Sequence, residues 1–169
     1  MRRLMDWAHR LAHAMHIIAG AMLVGMVVVV IVDVMTGLLF RATGGAVDIT
    51  FYGGVELVKY SLLIMVLFSL PYSVARGQVI VDLFTENLPE RIKGILSAVY
   101  IFGFGLLGLG MAIGFTENAL DPSNHYQTTQ DLQIPLYLFQ WVAAFGAAVL
   151  ALRGFLVAYE YFLESGKRP

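Results

Sequence analysis

Cysteine is absent from this 169-residue chain, which excludes disulfides, thiol redox pairs and thiolate metal sites. Charge is scarce as well: 14% of residues are Asp, Glu, Lys or Arg, against roughly a quarter in soluble domains. The formal net charge of -1 offers no basic face for nucleic acid, so no nucleic-acid partner is expected. Reactive constellations are also missing from the pattern. Ser61, Ser69 and Ser73 have no histidine base and acid placed for nucleophilic catalysis. His9, His13 and His16 fall on neighbouring faces of a helix without a persuasive set of companion ligands, and read as interfacial polar side chains. The expectation is a chain with no catalytic, cofactor-binding or metal site, and hence not an enzyme.

What the chain has in abundance is apolar length. Hydrophobic residues make up 59% of it, and mean hydropathy is +0.74. Uncharged or nearly uncharged runs cover 14–32, 57–75, 95–116 and 132–152, each close to the ~20 residues needed to cross hydrocarbon. A soluble helical bundle would carry a polar stripe along each helix, and 95–116 has none. The fold class expected is therefore an all-α integral membrane protein with four transmembrane helices. The approximate spans are 14–40, 57–75, 95–116 and 134–156, forming a single membrane domain over 1–169. The first apolar run exceeds a signal-peptide core and lacks a small-residue cleavage site, so a retained anchor is expected.

Basic residues set the orientation. Arg2, Arg3, Arg10, Arg76, Arg91, Lys93, Arg153, Lys167 and Arg168 share one side, and only Arg41 and Lys59 fall on the other. Lys and Arg favour the cytoplasmic face, which puts both termini inside and the first and third connections outside. Between spans 2 and 3, Ile80, Leu83, Phe84 and Leu88 recur at helical spacing among polar residues. This pattern predicts a short amphipathic helix at the cytoplasmic interface over 77–93. In the outer connection 117–133, Pro122, Ser123 and Asn124 read as a turn. Thr128 with Asp131 reads as a helix start before Pro135. Its acids Glu117, Asp121 and Asp131 suit either solvent or a soluble partner.

Charges inside the spans carry more information because each is costly there. Asp33 needs protein, water or a proton. Glu56 and Lys59 lie three apart on one face, where a charge pair is possible. Small residues form two stripes, Gly103, Gly110 and Gly114 on the third span and Ala143, Ala147 and Ala151 on the fourth. Both suit close helix packing, with an internal contact the simpler assignment and a subunit contact the alternative.

The run from Gly53-Gly54-Val55-Glu56-Leu57, through the apolar 62–70 segment, to Pro71-Tyr72-Ser73-Val74-Ala75-Arg76-Gly77-Gln78-Val79-Ile80-Val81-Asp82-Leu83 and Leu88-Pro89, carries a resemblance. With Ile134-Pro135 opening the last span, it resembles the small membrane subunit of tripartite ATP-independent periplasmic (TRAP) transporters. Many members have two acids where this chain has Val55-Glu56, and a histidine where it has Gln78.

The resemblance implies a scaffold in a bacterial or archaeal inner membrane. It would pack beside a large multi-span subunit that holds the sodium sites, and docking of an extracytoplasmic solute-binding protein is a further role. Uptake of organic-acid-type solutes would be driven by a sodium gradient. Glu56, Arg76 and Asp82 match the family positions, and with Lys59 and Asp33 they are candidate interface or structural charges. The competing classes are an autonomous oligomeric carrier or channel and a membrane-complex assembly factor. A carrier would need Asp33, Glu56 or the Gln133/Gln140 region to line an aqueous route.

The orientation is directly testable because the chain has no cysteine of its own. In intact cells, a cysteine introduced at Ser123 should react with an impermeant maleimide and one at Asn87 should not. The opposite pattern would reverse the topology.

Overall fold

The computed structural model describes residues 2–46, 49, 53–74, 90–124 and 126–165. Among these, four long helices follow one another: α1 (Arg2–Ala42), α2 (Gly54–Ser73), α3 (Glu90–Leu120) and α4 (Leu136–Ser165). Each is long and apolar enough to cross a membrane. A short 3₁₀ turn, Pro122–Asn124, and an isolated antiparallel bridge between Thr128 and Pro135 lie in the connection before α4. The expected interfacial helix over 77–93 falls outside the described residues, except for 90–93, which form the first turn of α3.

Helix α1 spans 41 residues, about 61 Å at 1.5 Å per residue and about twice the hydrocarbon thickness. Its polar start, with Arg3, Asp6, His9 and Arg10, is helical along with the apolar part. The buried side follows helical spacing through Ala8, Ala12, Met15, Ala19 and Met26. The opposite side, including Ile17, Val24, Val28 and Ile31, is exposed.

Helix α4 is the centre of the molecule. Over its most apolar window 56% of residues are buried, against 11% for α1. It packs along α3 over the greatest length, then along α2, and touches α1 more briefly; α1 lies mainly against α2. The core gathers Val74, Ile101, Leu150 and Ala158, with Leu70, Phe104, Val157 and Tyr161 packed against it. Ala143, Ala147 and Leu150 are completely buried.

Small residues let α3 and α4 approach backbone to backbone. A methyl group on Gly154 would stand 2.7 Å from the Gly105 Cα, and one on Gly108 would stand 2.7 Å from the Ala151 amide nitrogen. In lipid there is little hydrophobic drive between helices, so such dense contact carries the association. The expected internal role of Gly103, Gly110 and Gly114 is corrected here. Added methyl groups on these three would meet nothing within 4 Å, because they lie on the outer side of α3. The internal seam uses Gly105 and Gly108 against Ala147, Ala151 and Gly154.

Pro71 is buried inside α2 and cannot donate to the preceding turn, which leaves that turn one hydrogen bond short. Nearby hydroxyls fold back on the backbone, Ser69 donating to the Val66 carbonyl at 2.9 Å and Ser73 to the Ser69 carbonyl at 3.0 Å. These bonds satisfy the hydroxyls where lipid offers no partner.

Two substitutions separate the faces of α3 and α4. Gly154→Ala drives a methyl into the Gly105 backbone and should destabilise the chain by about 1–3 kcal/mol, an overpacking cost. Gly110→Ala meets open space and gains helix propensity, so its melting temperature should equal or exceed that of the parent. Thermal unfolding of the purified chain in detergent reads both; equal losses would contradict the seam.

Candidate functional site

The end of the molecule where α2 and α4 begin is organised around Glu56, in the first turn of α2. The segment facing it folds as a tight loop. The Thr129 amide donates to the Ile134 carbonyl at 2.9 Å, the Leu136 amide donates to the Gln127 carbonyl at 3.0 Å, and Thr128 bridges to Pro135. Thr129 is buried, and its hydroxyl accepts the Ile134 amide at 3.1 Å. Between these closures the chain reverses through Gln133, whose φ of 52° is left-handed.

Three successive amides in the reversal turn toward one carboxylate. Gln130 and Asp131 donate to Glu56 Oε1, the latter at 3.0 Å, and Leu132 donates to Oε2 at 3.1 Å. Consecutive backbone N–H groups make a concave anion site, and charge-assisted bonds of this kind are the stronger ones. Glu56 also stands in the positive first turn of its own helix. Beside it, Gly53 leaves room for Leu132, since a methyl there would come within 2.7 Å of Leu132 Cγ. The result is a clamp tying the start of α2 to the loop before α4.

Two expectations are corrected by this geometry. Glu56 binds backbone amides and does not pair with Lys59, whose ammonium lies 5.6 Å from the Tyr60 ring centroid. Thr128 and Asp131 do not start α4; they belong to the closed loop, and the helix begins at Leu136 after Pro135. The expected turn at Pro122, Ser123 and Asn124 is present, with the Ser123 amide and hydroxyl both donating to Asp121 Oδ1.

Asp33 lies on α1 near the start of α2. It is partly buried on α1 and lines a shallow cavity with Val29, Val30, Gly54, Val55 and Val58. Arg76 and Asp82 lie outside the described residues. Ala143, Ala147 and Ala151 are all buried on α4.

A second charged locus lies at the opposite end, around a residue that the sequence marks only as one more basic side chain. Arg153 is 5% exposed on α4. One guanidinium nitrogen lies 2.9 Å from His9 Nδ1 and another donates to the Ala8 carbonyl at 3.4 Å. A charged guanidinium can only donate, so His9 Nδ1 accepts and its proton sits on Nε2. The Tyr72 ring stacks with His13 and His16 at centroid distances of 5.4 and 4.8 Å, with His9 tilted at 5.8 Å. Arg153 stands 5.9 Å from the same ring centroid, within cation–π range. Helical spacing put the three histidines together; the sequence carried no signal that Tyr72 and Arg153 join them. Among the described residues, no group of three His, Asp or Glu side chains is arranged to hold a metal ion.

Comparison with known families gives one result. The family of tripartite ATP-independent periplasmic transporters, DctQ component, matches residues 26–163, which include α2, α3, the Glu56 loop and Arg153. No curated protein and no solved structure matches the chain.

The clamp is testable by amide exchange. Glu56→Ala removes the acceptor, and exchange at Gln130, Asp131 and Leu132 should accelerate several-fold, while the α3–α4 seam keeps its protection. Glu56→Gln keeps one carbonyl acceptor and should fall between the two. Unchanged exchange at those three amides would contradict the clamp.

Proposed function

The chain belongs to the DctQ component family of tripartite ATP-independent periplasmic transporters, and on that premise we propose that it is a scaffold and not an ion-coupling element. One observation carries the reading. Glu56, the acid that opens the second span, is held by the amides of the chain's own loop, which makes it a structural anchor.

In this proposal the single domain 1–169 packs beside the large membrane subunit, which holds the sodium sites and moves the solute. The solute is of organic-acid type and the gradient is sodium. Both termini face the cytoplasm of a bacterial or archaeal inner membrane, in line with the distribution of basic residues. The amphipathic segment over 77–93 lies along that face, and Arg76 and Asp82 at its start meet the large subunit.

The outer surface of α3 is a second contact. Gly103 opens a shallow groove with Val99, Tyr100, Phe104 and Leu107, and Gly110 and Gly114 leave open space further along the same helix, where another helix can approach closely. On the outer side, the clamped loop gives the extracytoplasmic binding protein a rigid place to dock, with the exposed Glu117, Asp121 and Asp131 around it. Asp33 and Lys59 complete the set of structural charges.

Proteoliposomes test the assignment. The chain alone should take up no solute, the large subunit with the binding protein should be impaired, and all three together should restore sodium-driven uptake. Substrate-specific flux from the purified chain alone would favour the autonomous carrier and overturn the scaffold. Gly110→Leu and Arg76→Ala should each reduce copurification with the large subunit, Gly110→Leu without lowering the melting temperature of the isolated chain.

A further inference from the structure

We infer that the cavity beside Arg153 is a binding site for the headgroup of an aminophospholipid, phosphate on the guanidinium and ammonium toward Asp6 and Glu160. The cavity has a volume of about 250 Å³ and lies between α1 and α4, lined by Asp6, His9, Arg153, Leu156, Glu160 and Tyr161 among others.

Arg153 is the reason to expect an anion. It is 5% exposed, its Nε is fully buried without a hydrogen-bond partner, and among the described residues no carboxylate pairs with it. Its contacts are the Ala8 carbonyl at a long 3.4 Å, a neutral His9 nitrogen and the face of Tyr72. None of these carries a full negative charge. A buried cation left without a counterion is costly, and each terminal guanidinium nitrogen keeps a second N–H for another acceptor. A phosphate oxygen supplies both the charge and the acceptors, and planar guanidinium suits it.

The other charges in the cavity decide which phosphate. Asp6 and Glu160 are both exposed and line the same space. With Arg153 the lining therefore sums to one net negative charge, which disfavours a purely anionic ligand. A headgroup carrying phosphate and a primary ammonium satisfies all three side chains. A trimethylated ammonium has no N–H to donate to the two carboxylates. The place fits a lipid too: Arg153, Tyr72 and the three histidines stand where apolar helix gives way to the polar first turns of α1, the level at which aromatic and basic anchors meet headgroups.

The test uses the full chain, purified in detergent, with native mass spectrometry and thermal shift. The probes are phosphatidylethanolamine, phosphatidylglycerol, phosphatidylcholine and inorganic phosphate. The parent should retain phosphatidylethanolamine in preference to the other two lipids, and inorganic phosphate should stabilise it little. Arg153→Met should lower phosphatidylethanolamine retention about tenfold, the loss of a charge-assisted bond. Asp6→Asn with Glu160→Gln should abolish the preference over phosphatidylglycerol and phosphatidylcholine while some lipid remains bound. Both acids are exposed, so this variant keeps the question open to test even if Arg153→Met does not fold. Equal retention of all three lipids by the parent, undiminished phosphatidylethanolamine binding in Arg153→Met, or equal stabilisation by inorganic phosphate would each overturn the site.

Discussion

Hydrocarbon offers no hydrogen-bond partner, so every polar group carried into a span must be satisfied by the protein or an assembly it belongs to. That constraint organises the molecule more than any apolar contact does. Hydroxyls within the helices turn back onto carbonyls three or four residues earlier, as in Thr36, Ser69, Ser73 and Thr116. The charges need larger arrangements. Glu56 draws three loop amides around itself, and Arg153 collects a carbonyl, an imidazole and an aromatic face. The two loci sit at opposite ends of the α4-centred packing, one fixing the loop before α4 and the other the junction of α4 with the start of α1.

Between those ends the packing is uneven. The α3–α4 seam is a backbone contact made possible by Gly105, Gly108 and Gly154, and α4 is largely enclosed. Helices α1 and α3 keep broad apolar faces outward, with Val24, Val28 and Ile31 on one and Phe102, Leu106 and Leu109 on the other. Exposed apolar side chains at these depths suit lipid or another membrane protein equally. In the proposed scaffold such faces are where the large subunit packs, with the close α3–α4 seam behind them as a fixed support.

The four spans were legible because about twenty apolar residues in a row have few other uses. Glu56 was legible as a charge that needs a partner, but the partner was not. Backbone amides carry no sequence signature, and their convergence depends on a closed loop with a left-handed Gln133. The glycines show a different limit. Helical periodicity groups Gly103, Gly110 and Gly114 as readily as Gly105 and Gly108, and only the position of α4 decides which face is inside. Arg153 looked like one more basic residue after an apolar run. It is buried where α4 meets the start of α1 at Ala8 and His9, tertiary neighbours that spacing along the chain does not reveal.

In the proposed scaffold the span-opening charge of this subunit, Glu56, holds structure and does not couple ions. The most direct measurement is the sodium-to-solute stoichiometry of the complete three-component transporter carrying Glu56→Gln. Flux should be normalised to the amount of assembled complex. A lower yield of complex with an unchanged stoichiometry is expected. An altered stoichiometry with normal assembly would place Glu56 in the ion path and contradict the scaffold.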